Sequence, residues 1–132
     1  MVFKKVRPEE YSPLVLAYLG DAVFELYVRT KLVRESNISV NELHCRAREY
    51  VSAGAQSEMY HKLMGELTEE EQAVIKRGRN AKTHTVRNAT VHDYRHATGL
   101  EALFGYLYIK GEHNRALWLF ERCTIKSENY KE

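Results

Sequence analysis

Two long runs that are apolar almost all the way round dominate this sequence: SPLVLAYLGDAVFELYVRTKLVRE at 12–35 and HATGLEALFGYLYIK at 96–110. Both outlast an ordinary strand and neither alternates with period two, so both read as helices. A chain built on two such segments must fold by packing helices against them. The first opens on Pro13, a first-turn position where the missing N–H costs nothing, and we place it over about 13–35. Having no clean polar face, it reads as a central, buried helix.

The rest of the chain follows suit. Ser39 looks like the N-cap of a second helix through NELHCRAREYV, and residues 52–64 form a third. Thr68 followed by Glu69, Glu70 and Glu71 is an N-terminal signature, a cap with acids at the positive helix end. That helix should end near Arg79. The polar, Asn-containing stretch NAKTHTVRNATV at 80–91 reads as a loop. Helix returns from about His92 to Ile109, breaks near Gly111, and resumes from Glu112 to about Lys126. Two prolines and seven glycines are too few for a many-stranded sandwich, so the fold class is all-α. At 132 residues, 44% hydrophobic and 29% charged, residues 1–132 read as a single globular domain without linker or repeat.

Several function classes drop out. The start MVFKKVRPEEYS reaches charge and Pro8 before any apolar run, so it is not a signal peptide. No stretch approaches the ~20 apolar residues of a membrane span, and the expected location is the cytoplasm with no membrane partner. Cys45 and Cys123 stand singly, as free thiols in a reducing compartment do. Phosphate-binding glycine loops are absent. Ser12 and Ser57 lack a nucleophile-elbow context, and His44 and His61 look isolated.

The informative positions are Asp21 and Glu101, each inside one of the two apolar helices. A buried carboxylate costs several kcal/mol unless it is paired, protonated or bound to a cation. Neither acid has a basic residue three or four positions away, whereas Glu25 has Arg29 one turn on. A tertiary salt bridge would account for Asp21 and Glu101. So would convergence on a divalent cation, for which Mg²⁺ is suited because it takes one or two carboxylates and completes its octahedron with waters and phosphate oxygens. Gly20, Gly99 and Gly105 fit close helix–helix approach around such a site.

YLGDAVFELYVR at 18–29 resembles the signature helix of the ribonuclease III family, and GLEALFGYLYIKG at 99–111 resembles its second acidic helix. With the short chain and KRGRNAK at 76–82, the pattern looks like the Mini-ribonuclease III subgroup, the catalytic domain with no appended double-stranded-RNA-binding domain. The resemblance spans about Tyr11 to Ile125. It implies that Asp21 and Glu101 are catalytic and bind Mg²⁺, that Tyr18 lies at a homodimer interface, and that the fold is a homodimeric bundle of the ribonuclease III type. It also implies cleavage of double-stranded RNA to 5′-phosphate products with short 3′ overhangs. Maturation of large-subunit (23S) ribosomal RNA precursor stems, with a ribosomal-protein association, belongs to the same implication. The larger enzymes carry two further acids where this chain has Ala17 and Thr98, so the metal site here has fewer carboxylates.

The net charge is only +2, yet Lys76, Arg77, Arg79, Lys82, Arg87 and Arg95 crowd one segment whose single acid is Asp93. Such a segment suits phosphates, and polar side chains in it suit the 2′-hydroxyls of the RNA minor groove. The candidate RNA-binding residues are Arg77, Arg79, Asn80, Lys82, Thr83, His84, Arg87 and Asn88. A solvated surface loop is the plain alternative. Two other functions stay open: a non-catalytic double-stranded-RNA or ribosome-binding helical dimer, and a metal phosphohydrolase built on the adjacent His92–Asp93.

Overall fold

The helix richest in buried residues, rather than the first one, forms the centre of the fold. The computed structural model describes residues 3–81 and 90–125, and these form six helices and one short 3-10 turn. They are α1 (Pro13–Glu35), α2 (Val40–Val51), α3 (Ala53–Leu63), α4 (Glu69–Arg79), α5 (Val91–Lys110) and α6 (His113–Thr124). No strand occurs among the described residues, and the fold is all-α as expected. From Ala97 to Leu107, α5 is buried at every position but Glu101; α1, α3 and α4 pack around it.

The helix starts are set by side-chain caps. Ser12, Ser39 and Ser52 each accept from the backbone N–H three residues on, all at 3.2 Å. Thr68 and Glu71 form a full capping box, at 3.1 and 2.9 Å. Thr90 caps α5 by accepting from the Asp93 N–H at 3.0 Å, which starts that helix a residue earlier than the apolar pattern indicates. Gly111 ends it in the left-handed region at φ 88°, and its N–H bonds back to the Leu107 and Tyr108 carbonyls.

One expectation is overturned here. α1 is buried on one face only, through Leu16, Ala17, Gly20, Val23, Phe24, Val28 and Leu32. Leu14, Val15, Tyr18, Leu26 and Val33 on its other side are exposed. Its missing polar face therefore reflects two apolar faces, of which this chain covers one. The covered face meets α5 backbone to backbone: a Cβ on Gly20 would sit 1.6 Å from the Glu101 carbonyl oxygen, and one on Gly105 1.9 Å from that of Leu16. Beneath the crossing, Phe24 packs edge-to-face on Phe104 and Phe120, ring centroids 5.6 and 5.5 Å apart.

Candidate functional site

The crossing at Gly20 and Gly105 brings together the two acids that the sequence singles out. Asp21 follows Gly20 directly, and the Glu101 carbonyl is what Gly20 lies against. The two carboxyl groups share a hydrogen bond. Asp21 is not buried: it sits at the edge of the crossing, exposed to solvent, while Glu101 is half-buried. Only Glu101 of the two bears a burial cost, because one step of 100° past Gly20 carries Asp21 off the packed face. Burial above all, then the negative charge of Asp21 and the shared hydrogen bond, push the Glu101 carboxyl up to about 8; a hydrogen bond from Gln56 acts the other way. The ion pairs of the described residues all lie elsewhere, Glu25–Arg29 at 3.7 Å among them. The tertiary salt bridge considered above is therefore absent among the described residues. Two carboxyl groups converge, and no cationic side chain among the described residues pairs with them.

α3 contributes residues that the sequence did not reveal. Gln56 is 3% exposed and bonds to Glu101. Ser57, also buried, shares a 2.9 Å hydrogen bond between its Oγ and His96 Nδ1. The His96 ring stacks on Tyr60 at 4.3 Å and 16°, and His61 meets it edge-on at 4.8 Å. His61 is thus exposed yet not isolated. Burial, then the charges of His61, His92 and Arg79, hold His96 below the usual histidine range. The signal was there to be read: Gln56, Ser57, Tyr60 and Leu63 fall on one helical stripe, and two of the four are polar.

The basic segment begins at the end of α4. Arg77 donates to the Tyr11 carbonyl at 3.2 Å, and Arg79 to the Tyr60 hydroxyl at 3.1 Å. Asn80 is exposed, ends α4, and accepts from Arg79 Nε at 3.4 Å. Arg79 thereby ties the end of α4 to α3, and Arg77 ties it to the segment before α1. Lys82, Thr83, His84, Arg87 and Asn88 lie outside the described residues.

Comparison with known proteins decides the family. The ribonuclease III domain family matches residues 14–112, a span that holds both acids and the α4–α5 basic segment. The chain belongs to the ribonuclease III family. It is 47% identical to a Mini-ribonuclease 3 of Desulfitobacterium hafniense, over 86% of this chain and 73% of that one. A Mini-ribonuclease 3 of Enterococcus faecalis is 46% identical over 89% of this chain and 92% of its own. A crystal structure of a Fusobacterium nucleatum protein superposes with a TM-score of 0.78 at 34% identity, covering 85% of this chain and 90% of that one. The chain is thus an endoribonuclease of the ribonuclease III type, in the Mini-ribonuclease III subgroup.

Within this ribonuclease III domain, Ala17 and Thr98 are buried, and the Thr98 hydroxyl donates to its own helix, to the Tyr94 carbonyl at 2.9 Å. No three His, Cys, Asp or Glu side chains converge as a metal-ligand group among the described residues. Among the described residues, His92–Asp93 thus gathers no third ligand of the kind a metal phosphohydrolase uses. Tyr18, the expected interface residue, is 85% exposed. Cys45 and Cys123 are both free, and none of the described helices is long and apolar enough to cross a membrane.

Proposed function

We propose that this ribonuclease III family member is a Mg²⁺-dependent endoribonuclease for double-stranded RNA, with Asp21 and Glu101 as its catalytic, metal-binding carboxylates. The observation that carries the reading is the meeting of those two groups without a positive partner. Burial and the neighbouring Asp21 raise the cost of ionising Glu101, and a divalent cation removes that cost. The donor set fits Mg²⁺, which asks for only one or two carboxylates. Held there, the cation supplies Lewis-acid stabilisation of the charge that builds on the phosphodiester during hydrolysis. The protein's own groups do the rest: Gln56 orients Glu101, and exposed Asp21 stands where an RNA backbone reaches it.

Arg77, Arg79 and Asn80, with Lys82, Thr83, His84, Arg87 and Asn88 beyond them, are proposed to hold the duplex by its phosphates and 2′-hydroxyls. The uncovered apolar face of α1, with Tyr18 at its centre, supports a homodimer that sets one site against each strand. Residues 1–132 then act as one catalytic domain, in the cytoplasm, on a stem of the 23S ribosomal RNA precursor.

The test is purified protein with long double-stranded RNA, single-stranded RNA and double-stranded DNA, each with Mg²⁺ and with EDTA. Cutting of the RNA duplex alone, abolished by EDTA, is the expected result. A gel shift of the duplex without cutting would sink the catalytic reading and turn the loss of carboxylates at Ala17 and Thr98 into evidence for a binding module.

A further inference from the structure

We propose that Arg79 and His61, carried on the stacked Tyr60–His96 pair, form a second phosphate subsite, which binds the RNA backbone beside the bond that is cut. The proposal rests on the RNA-cleaving reading above and deepens it. Its first support is an unbroken run of contacts from the acid pair outward. Glu101 bonds to Gln56; the next residue, Ser57, bonds to His96 at 2.9 Å; His96 stacks on Tyr60 at 4.3 Å; and the Tyr60 hydroxyl accepts from Arg79 at 3.1 Å. His96 and Glu101 are separated by about 7.5 Å of helix axis, so the cluster lies within reach of the same strand.

The second support is charge. Among the described residues the hydrogen bonds of Arg79 go to the Tyr60 hydroxyl and the Asn80 side-chain oxygen, and a guanidinium carries five N–H donors. No carboxylate pairs with it among the described residues, whereas Lys110, Arg115 and Arg122 are tied to Glu70, Glu71 and Glu66. The charged and titratable groups facing His96 are His61 from α3, Arg79 from α4, and His92 and Asp93 from its own helix. Asp93, the one acid, has its carboxylate beside the first turn of α3 at Gly54, where the helix end favours it. What remains is the Arg79 guanidinium among imidazole rings, and burial, then the charges of His61, His92 and Arg79, hold His96 below the usual histidine range. A phosphodiester oxygen supplies the missing counter-charge.

In this arrangement Arg79 and His61 touch the phosphate, while Tyr60 and His96 are positioning residues. Tyr60→Phe removes one hydroxyl and keeps the stack, and His61→Ala removes one ligand from an exposed position. Both are compared with wild type and His61→Arg by steady-state cleavage of duplex RNA in Mg²⁺, with thermal unfolding as a check on folding. We expect KM to rise about 3- to 10-fold in Tyr60→Phe and His61→Ala with kcat within about twofold, and His61→Arg to restore KM. Unchanged KM in both variants overturns the subsite, as does a fall in kcat alone, and either result leaves the RNA-cleaving function standing. A wild-type protein that neither binds nor cuts duplex RNA overturns that function and the subsite with it.

Discussion

Two glutamates of this chain lie largely out of water and have opposite fates. Glu71, at the start of α4, is 4% exposed and grips the Arg115 guanidinium with both oxygens, at 2.7 and 2.8 Å. Burial pushes its carboxyl up, but Arg115 and the Thr68 cap outweigh burial and hold it below the usual carboxylate range. Glu101 has burial acting in the same direction, yet its neighbour is Asp21, and its carboxyl rises to about 8. One acid is compensated within the fold; the other has no cationic partner among the described residues. Burial of a carboxylate is therefore a weak sign of function until its partner is known.

Exchanging each acid for its amide should separate the two roles with the largest effects. Glu101→Gln, like Asp21→Asn, should lower RNA cleavage at least about 10³-fold and leave the fold intact, since Glu101 has no cationic partner among the described residues for the change to strand. Glu71→Gln should do the reverse. It strands Arg115 and costs about 3 kcal/mol of stability, with cleavage per folded molecule near wild type. Urea unfolding beside a gel cleavage assay reads both quantities. A Glu101→Gln protein that still cuts, or that unfolds as readily as Glu71→Gln, would erase the distinction.

Much of this contrast was legible in the sequence. Thr68 with its three acids announced α4, Ser39 announced α2 and Pro13 announced α1, because caps and first-turn prolines act within a single turn. The two acids stood out because their flanks are apolar. What local pattern does not carry is which apolar face the chain itself covers. Hence α1 read as central although α5 is, and Asp21 read as buried although it lies at the rim of a crossing set by Gly20 and Gly105. The contacts of His96 with Ser57, Tyr60 and His61 join α5 to α3 across more than thirty residues, so no spacing rule could give them.

The pH dependence of stability sharpens the comparison next. In EDTA, folded Glu101 keeps a proton up to about pH 8, while the unfolded chain releases it near the ordinary value of 4.5. Between those values the native state binds more protons, so stability falls as pH rises from about 4.5 through 8 and then levels, by on the order of a few kcal/mol. Glu71 has its carboxyl lowered, so its contribution is present above the unfolded value and is lost as pH falls below it. Melting temperatures across pH should therefore lose their alkaline decline in Glu101→Gln and part of their acid decline in Glu71→Gln. Mg²⁺ should stabilise the wild type most at the alkaline end. An alkaline slope that survives in Glu101→Gln would assign it to another group.

The smallest effects concern the helper of each acid. Thr68 serves Glu71 from within a capping box, and Thr68→Ala should cost about 1 kcal/mol without changing the Mg²⁺ concentration that gives half-maximal cleavage. Gln56 serves Glu101, and Gln56→Met keeps the length of the side chain but removes its N–H donor. In the metal-free protein Glu101 can meet its need through Asp21, so stability should move by less than about 1 kcal/mol. Once Glu101 must present an ionised oxygen to a cation, the lost donor matters, and half-saturation should rise several-fold. A direct Mn²⁺ titration followed by electron paramagnetic resonance reads the same change without cleavage. If Gln56→Met lowers stability as Thr68→Ala does and leaves cation affinity alone, Gln56 is packing, and the two glutamates differ only in their charged partners.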